Sequence, residues 1–408
     1  MISWMQNGSI SGDAVPGMPN FIFPDYDGAG IVNLMSSVIE GCGGTPLADY
    51  PPLSALETSL LANADNIVLL VIDGLGYDYL MSQESDSVLR QHLHSRLTSV
   101  APSTTASAIS TFLTGVAPQQ HGLTGWFGYF RELGGVVAVL PFAARHGGAS
   151  LTRAGITVES LYGHTAIFDG LPLAGYVVCP DWIAQSPFNR AHAGNATVLP
   201  YNGVDGCFAA IAAAVDRRGG RRYVYAYWPG FDSLAHEHGV ASEVVAAHYR
   251  TLDRGFAALL DELANSRTVV MVTADHGFVD VPEQRRLEIG AFPAVKSCLM
   301  APLCGEPRLA YCYVRHDMRA RFESAVEAQL AEFAELCPSR ALVERGLFGR
   351  GDPHPELLPR VGDYVLILKD DYAIVDRLAH EGPVSMVGYH GGLSAGEMYV
   401  PLIVAGDG

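Results

Sequence analysis

Continuous apolar runs rich in β-branched residues constrain the fold of this chain more than any other feature of its sequence. The clearest is NIVLLVI at 66–72. A strand with one face in solvent would show alternating polar residues, whereas an uninterrupted run is typical of a strand buried on both faces of a sheet. Similar runs lie at 97–100, 223–228, 268–273 and 401–405.

Segments with helical periodicity separate these runs, and they lie at 106–114, 204–216 and 242–264. Alternation of buried strands with amphipathic helices is typical of a parallel sheet that carries helices on both faces. We therefore predict an α/β fold with a mostly parallel sheet flanked by helices. A further helix is predicted at 31–41, in a leader that extends to about residue 64.

The pattern changes between about 285 and 385. The elements predicted there are a strand, an amphipathic helix stopped by a proline and a second strand, at 309–314, 318–337 and 364–368. This mixture predicts an inserted α+β cap at 285–385. The catalytic core would then consist of 1–284 and 386–408.

Composition and charge exclude several classes of protein. The net charge of −17 argues against a surface that binds nucleic-acid polymers. A small anionic substrate remains compatible with it, because bound divalent cations can dominate the local field. No signal peptide is recognisable, and no apolar run approaches the roughly 18 residues that span a bilayer. The seven cysteines are scattered without a CxxC pair, so we expect ordinary thiols. We predict a cytoplasmic protein without membrane association and leave the oligomeric state open.

Acidic and histidine residues follow the predicted strands, and they are Asp73, Asp232, His236, Asp275, His276 and His390. Asp232 and His236 are four residues apart and therefore share one face of a helix. Ligands bind beyond the carboxyl ends of the strands in sheets of this kind. We therefore expect these side chains to lie close together.

Each of these residues also has an ordinary alternative role, since an aspartate after a strand often caps a helix and a histidine can simply lie in a loop. As a set, however, carboxylates and imidazoles are the ligands that suit zinc and similar cations, and three of them leave a coordination position open. A hydroxyl cluster at 103–105 opens the helix predicted at 106–114. Two metal sites beside a hydroxyl nucleophile are what two-metal phosphoryl transfer requires.

Five segments that carry these residues resemble the alkaline phosphatase superfamily, and within it the type I phosphodiesterase/nucleotide pyrophosphatase group. In chain order they are VIDGLG, PSTTASAISTFLTGVAPQQHG, DSLAHEHG, TADHG and GYHGG. The resemblance covers about 66–284 and 386–408. It implies an alkaline-phosphatase-like core and the activity of a phosphoric ester hydrolase.

The resemblance also implies two divalent cations, zinc by expectation and manganese as the alternative. One metal would be held by Asp232, His236 and His390. The other would be held by Asp73, Asp275, His276 and the nucleophile Thr105. The nucleophile of the family lies nine positions before the threonine of a Thr-Gly pair, which is Thr114 in this chain. The implied reaction passes through a covalent phospho-threonine.

The chain departs from the family at one position. Relatives that cleave nucleotides carry an asparagine that helps to hold a phosphate oxygen, and here that position is Trp126 in HGLTGWFGYF. Thr104, which stands where many relatives have lysine, or the indole N–H of Trp126 could supply a donor instead. Trp126, Phe127, Tyr129 and Phe130 could form an aromatic wall for a base, with packing under the cap as the alternative. We predict Thr104, Trp126 and Tyr129 as substrate-binding residues.

These observations predict a metal-dependent phosphodiesterase or nucleotide pyrophosphatase that acts on a small organic phosphate, with a nucleotide as the first candidate. A phosphonate hydrolase or a phosphomonoesterase on the same core is the alternative. A sulfatase is disfavoured because no Cys-x-Pro-x-Arg segment lies near Thr105, and a phosphoglycerate mutase because its nucleophile would be serine. A non-catalytic, metal-stabilised binding module is the alternative from another class, and the complete ligand set argues against it.

Overall fold

The computed structural model of the chain describes residues 20–217, 219–382 and 385–406. The prediction that no signal peptide is present concerns the N-terminal segment, of which 1–19 lie outside the described residues. The helices in chain order are α1 (Ile31–Gly41), α2 (Thr58–Asn63), α3 (Tyr77–Ser82), α4 (Val88–Gln91), α5 (Thr105–Thr114), α6 (Pro118–His121), α7 (Val158–Tyr162), α8 (Asp181–Ala184), α9 (Pro187–Ala193), α10 (Gly203–Val215), α11 (Gly230–His238), α12 (Glu243–Glu262), α13 (Pro293–Lys296), α14 (Arg319–Gln329), α15 (Ser339–Glu344), α16 (Leu357–Arg360) and α17 (Ala395–Met398).

The strands in chain order are β1 (Asn66–Ile72), β2 (Leu93–Thr98), β3 (Phe127–Phe130), β4 (Gly135–Ala138), β5 (Ala143–Ala144), β6 (Ala174–Pro180), β7 (Thr197–Tyr201), β8 (Arg222–Trp228), β9 (Thr268–Thr273), β10 (Val279–Asp280), β11 (Arg286–Glu288), β12 (Cys304–Glu306), β13 (Leu309–Cys312), β14 (Ala334–Pro338), β15 (Tyr364–Leu368), β16 (Ala373–Val375), β17 (Gly388–Tyr389) and β18 (Tyr399–Ala405). Most of them belong to two sheets of seven strands each.

The first sheet has the strand order β2-β18-β9-β1-β8-β6-β7. Its neighbouring strands are parallel except that β18 runs antiparallel to β2 and β9. Every residue of β1 and β9 is buried, as their continuous apolar runs predict. The predicted α/β fold with a mostly parallel sheet is confirmed.

The edge strand β2 begins at Leu93, whereas the sequence predicts a strand only at 97–100. Its first four residues alternate between partly buried and exposed, because one face of this strand meets solvent. A search for uninterrupted apolar runs therefore misses them. The strand ends at Thr98, and the chain then leads directly to α5.

Helices from two parts of the chain pack on the first sheet. Helix α1 contacts α2 and α5, while α10 contacts α12 and strands β6 and β8. Their apolar faces share one hydrophobic core with the strands, which includes Val68, Phe112, Ile211 and Phe256. Among the described residues, no helix has both the length and the apolar character needed to cross a membrane. All seven cysteines are buried and free of disulfides.

The second sheet has the order β14-β15-β13-β12-β3-β4-β5, and its paired strands are antiparallel. Four of its strands come from the predicted cap at 285–385. The other three come from 127–144, which the sequence assigns to the core. The division into core and cap stays a prediction, and the second sheet extends across its boundary.

The predicted helix at 318–337 is wrong in its second half. Helix α14 ends at Gln329, and 334–338 form strand β14, in which Cys337 pairs with Val365 of β15. Apolar residues of this segment also fit a helical period, but pairing with β15 satisfies its backbone groups in a sheet instead.

Candidate metal and nucleophile site

The carboxyl ends of the central strands bring the predicted residues together. Asp73 follows β1, Asp232 and His236 lie on α11, Asp275 and His276 follow β9, Thr105 is the first residue of α5, and His390 follows β17. Asp73 does not cap the helix that follows it, because the N-cap of α3 is Gly76. The residues instead form two clusters of ligand atoms.

The first cluster consists of Asp232, His236 and His390. Asp232 Oδ1 lies 3.3 Å from His236 Nε2 and 3.7 Å from His390 Nε2. The two Nε2 atoms are 3.1 Å apart. Ligand atoms bound to one tetrahedral zinc at 2.0–2.1 Å are about 3.3 Å apart, so the three atoms have the spacing of a zinc site.

The second cluster consists of Asp73, Asp275, His276 and Thr105. His276 Nε2 lies 3.3 Å from Asp73 Oδ1 and 3.4 Å from Asp275 Oδ2. Thr105 Oγ1 is 3.2 Å from the same nitrogen and 3.5 Å from Asp73 Oδ2. The predicted nucleophile therefore lies among the predicted ligands of this metal.

The two clusters are adjacent. The rings of His276 and His390 stack with 3.7 Å between their centroids and an angle of 17° between their planes. Ligand atoms of Asp232, His276 and His390 also lie within 4.8 Å of one another. This arrangement allows two cations to act on one bound group.

Backbone carbonyls fix the orientation of all three imidazoles. The Nδ1 atoms lie 2.8 Å, 3.1 Å and 3.2 Å from the carbonyl oxygens of Gly388, Gly277 and Ser103, for His236, His276 and His390 respectively. A carbonyl oxygen can only accept, so each Nδ1–H donates to it. Each Nε2 then has its lone pair toward the site, as a metal ligand requires.

In the carboxylates of Asp73 and Asp275, likewise, one oxygen accepts hydrogen bonds from the protein and the other does not. Asp275 Oδ1 accepts hydrogen bonds from the backbone N–H groups of Gly74 and His276, both at 3.0 Å. Asp73 Oδ2 accepts one from the Tyr227 hydroxyl. The other oxygens, Asp73 Oδ1 and Asp275 Oδ2, are buried without a hydrogen-bond partner, and so is Asp232 Oδ1. Buried acceptors without a partner are costly, and cations bound in the two clusters would satisfy all three.

Burial and mutual repulsion shift the pKa values of these groups. Burial raises the pKa of Asp73 well above its usual range, and the charges of Asp275 and Asp232 raise it further. Burial also raises the pKa of Asp275. The pKa of His390 lies well below its usual range because the ring is buried and faces His276 and His236. Cations among these carboxylates would offset the repulsion, and a neutral imidazole is the form that binds metal.

Two residues of the site are not predicted from the sequence. Tyr227, near the end of β8, holds Asp73 through its hydroxyl. Glu306, the last residue of β12, accepts hydrogen bonds at Oε1 from Thr104 Oγ1 at 2.7 Å and from the backbone N–H of Trp126 at 2.6 Å. A tyrosine at the end of a buried strand could have suggested the first; nothing near position 306 suggests the second.

A cavity of about 530 Å³ opens beside the two clusters. Thr104, Thr105, Trp126 and Phe127 contribute to its wall, and so do the side chains of the first cluster. Tyr129 does not line this cavity, and its ring packs against Tyr313 with 5.0 Å between centroids. It lies two residues beyond Phe127 on the same face of β3, which places it about 7 Å farther along the strand.

Comparison with known proteins agrees with the resemblance in the sequence. A family model described as type I phosphodiesterase/nucleotide pyrophosphatase matches residues 67–393. No curated protein sequence matches the chain.

Solved structures show the same fold at low sequence identity. Murine ectonucleotide pyrophosphatase/phosphodiesterase 5 superposes with a TM-score of 0.62 at 17% identity, over 82% of this chain and 87% of that chain. The same values hold for an inactive threonine-to-alanine variant of it in complex with AMP. Phosphonoacetate hydrolase from Sinorhizobium meliloti, in complex with phosphonoformate, superposes with a TM-score of 0.58 at 16% identity, over 84% of this chain and 90% of that chain.

Proposed function

This chain belongs to the type I phosphodiesterase/nucleotide pyrophosphatase family and is a phosphoester hydrolase, and we propose that it acts through Thr105 with two divalent cations bound beside it. The observation that carries the proposal is the arrangement of three unpartnered carboxylate oxygens and three Nε2 atoms in two adjacent clusters, one of which includes the Thr105 hydroxyl. A non-catalytic binding module is set aside, because family membership makes the chain a hydrolase.

Asp232, His236 and His390 would hold one cation, and Asp73, Asp275, His276 and Thr105 the other. When bound, the cations would lower the pKa of the threonine hydroxyl and offset negative charge on the phosphoryl group. We propose zinc, with manganese as the alternative, because carboxylate and imidazole ligands suit both.

The proposed reaction of Thr105 consists of two displacements at phosphorus. Its oxygen bonds to phosphorus while the hydroxyl proton is lost to solvent and the ester oxygen departs, which leaves the phosphoryl group on Thr105. Water then attacks the phosphorus, and the threonine hydroxyl is regenerated. Thr105 opens α5, so the free N–H groups of the first turn favour negative charge at this position.

A small organic phosphate is the proposed substrate, with a nucleotide as the first candidate. The murine relative that was solved with AMP supports a nucleotide, and the hydrolase that was solved with phosphonoformate supports phosphonate hydrolysis as the alternative. A phosphomonoesterase stays a further alternative. The cytoplasmic location stays a prediction from the sequence.

Metal analysis and activity of one matched pair of variants test the proposal. We expect about two equivalents of zinc or manganese per chain. Thr105→Ala should lower kcat for an aryl phosphodiester by at least about 10³-fold while it still folds. The control Thr114→Ala removes a hydroxyl that bonds to Ser110 O at the other end of the same helix, and it should keep turnover.

Two outcomes would contradict the proposal. A fully folded protein that binds no divalent metal would reject the ligand assignment. Wild-type turnover in Thr105→Ala would reject the nucleophile. Aryl phosphodiester, aryl phosphomonoester and aryl phosphonate substrates assayed side by side then decide between the reaction classes.

A further inference from the structure

The second sheet contributes one carboxyl group to the site, that of Glu306. Glu306 is buried at the end of β12 and lines the same cavity as Thr105. Its Oε1 atom accepts from Thr104 Oγ1 and from the backbone N–H of Trp126. Thr104 immediately precedes the nucleophile, so this carboxyl group is tied to the segment that carries the reacting hydroxyl.

Close backbone contacts fix the position of Glu306. A Cβ atom at Gly391 would lie 2.5 Å from Glu306 Cβ and 2.6 Å from its Cγ, so only a glycine lets the Glu306 side chain lie against the residue after His390. A Cβ atom at Gly125 would lie 2.6 Å from Gly305 Cα. The carboxyl group therefore has little freedom to move away from the cavity.

The cationic residues of the cavity wall have other partners. Arg145 donates to Glu381 through Nε and Nη2 at 2.9 and 3.0 Å, and to the carbonyl of Leu303 at 3.0 Å. Arg377 Nη2 lies 3.3 Å from Glu288 Oε1. Among the described residues that line the cavity, both arginines are thus paired with acids.

Much of the remaining cavity wall is apolar. It includes Trp126, Phe127, Leu303, Ile374 and Met386. Trp126 lines the cavity and is 38% exposed. Such a surface favours an uncharged apolar substituent, because its burial removes apolar area from water.

We propose that Glu306 is a specificity-determining residue whose negative charge, together with the apolar wall, selects phosphoryl groups that carry a single negative charge and an apolar ester substituent. This inference rests on the proposed function, because it assumes that the phosphoryl group reacts beside Thr105. A phosphodiester bears one charge at its phosphorus and meets the requirement. A phosphomonoester dianion brings a second charge toward the Glu306 carboxylate, and like charges at close range in a partly buried site repel strongly.

The test compares Glu306→Gln with the wild type, both zinc-loaded, on bis(4-nitrophenyl) phosphate and 4-nitrophenyl phosphate. Glutamine keeps an oxygen acceptor for Thr104 and Trp126 but removes the charge. Burial raises the pKa of Glu306 to about 7, so the assays are run at about pH 8.5, where the carboxyl group is ionised. The ratio of kcat/KM for the monoester to that for the diester should rise about 10- to 100-fold in the variant.

The matched control is Glu335→Gln, the same change in the same sheet, where the carboxylate is 46% exposed and contacts Lys369. It should leave the ratio at the wild-type value. An unchanged ratio in folded, metal-loaded Glu306→Gln would overturn the inference and leave the proposed function standing. No hydrolysis of either ester by wild type loaded with zinc or with manganese would overturn the proposed action on phosphate esters and this inference with it.

Competitive inhibition of the wild type gives a measurement that does not depend on the folding of a variant. Diphenyl phosphate, with one charge and two apolar groups, should inhibit at a lower concentration than phenyl phosphate, which is a dianion at this pH. The reverse order would overturn the inference.

Discussion

At the scale of single residues, the three candidate imidazole ligands and the carboxylates of Asp73 and Asp275 each have two polar atoms with different partners. One atom of each imidazole is held by a backbone carbonyl, and one oxygen of Asp73 and of Asp275 is held by a hydrogen-bond donor of the protein. The second atom is left toward the site. This division fixes the side chains before a cation arrives, and groups that orient metal ligands in this way commonly change metal affinity by 10- to 100-fold.

Tyr227 gives a direct test of this preorganisation. We expect Tyr227→Phe to weaken zinc binding by about 10- to 100-fold, because Asp73 Oδ2 loses the hydroxyl that positions it. Titration calorimetry of the metal-free protein with zinc measures the effect. Tyr223→Phe is the matched control on the same strand, since the buried Tyr223 hydroxyl has no hydrogen-bond partner in the described structure. Equal zinc affinity of Tyr227→Phe and the wild type would contradict the prediction.

At the scale of elements, a buried ion pair joins the turn between β12 and β13 to α17 beside the site. Arg308 Nε and Nη2 donate to the two oxygens of Glu397 at 3.0 and 2.9 Å. Glu397 Oε1 also accepts from the backbone N–H of Gly392, two residues after His390. Burial alone would raise the pKa of Glu397, but its pairing with Arg308 lowers it overall. The pair therefore connects the second sheet to the segment that carries a candidate metal ligand.

Removal of one partner of the Arg308–Glu397 pair should destabilise the protein. We expect Arg308→Met to lower the free energy of unfolding by about 3–5 kcal/mol, because Glu397 is left charged and buried. Urea denaturation measures this change. The control Arg319→Met breaks an exposed pair with Asp363 and should cost less than about 1 kcal/mol. A loss of similar size in the two variants would show that the buried pair has no special role.

Helix α9 carries a buried histidine that makes stability depend on pH. Burial lowers the pKa of His192 to about 4, and its Nδ1–H donates to Phe188 O at 2.8 Å. In the unfolded chain the pKa is about 6.5, so the unfolded state binds more protons between these values. The contribution to stability is complete above pH 6.5 and declines as the pH falls toward 4.

His192→Phe should therefore lose less stability on acidification than the wild type does. Between about pH 7.5 and about pH 5, the unfolding free energy of the variant should fall by up to about 2 kcal/mol less than that of the wild type. Urea denaturation at both pH values measures it. His238→Gln, at an exposed histidine, should follow the wild type. Equal acid sensitivity of His192→Phe and the wild type would contradict the role of His192 in the pH dependence of stability.

At the scale of the whole molecule, the clustered carboxylates couple metal binding to folding. Repulsion among Asp73, Asp232 and Asp275 opposes the metal-free fold, and bound cations would relieve it. Free zinc at 100 times its dissociation constant should add about 2.7 kcal/mol to the unfolding free energy for each site. Thermal denaturation with zinc and with a chelator measures the difference. Asp232→Asn should lose the increment of one site, and an unfolding midpoint that does not respond to chelation would contradict the coupling.

The sequence by itself determined the parallel sheet and the set of candidate ligands. Continuous apolar runs identify β1 and β9, and the acids that follow them must meet, because the carboxyl ends of parallel strands share one edge. The structure brings Asp73, Asp275 and Thr105 together at that edge, although their roles as ligands and nucleophile stay predictions. Local signals were sufficient here because strand and ligand are neighbours in the chain.

Only the tertiary structure decided which residues from distant segments complete the site. Glu306 reaches Thr104 from 202 positions away, and Tyr129 lies against Tyr313 rather than in the cavity. Strands from 127–144 also join the second sheet, which no local pattern indicates. The physical reason is that antiparallel pairing can join any two segments, and a shift of one residue in register turns every side chain to the other face. Partner and register are therefore set by the packing of the whole chain.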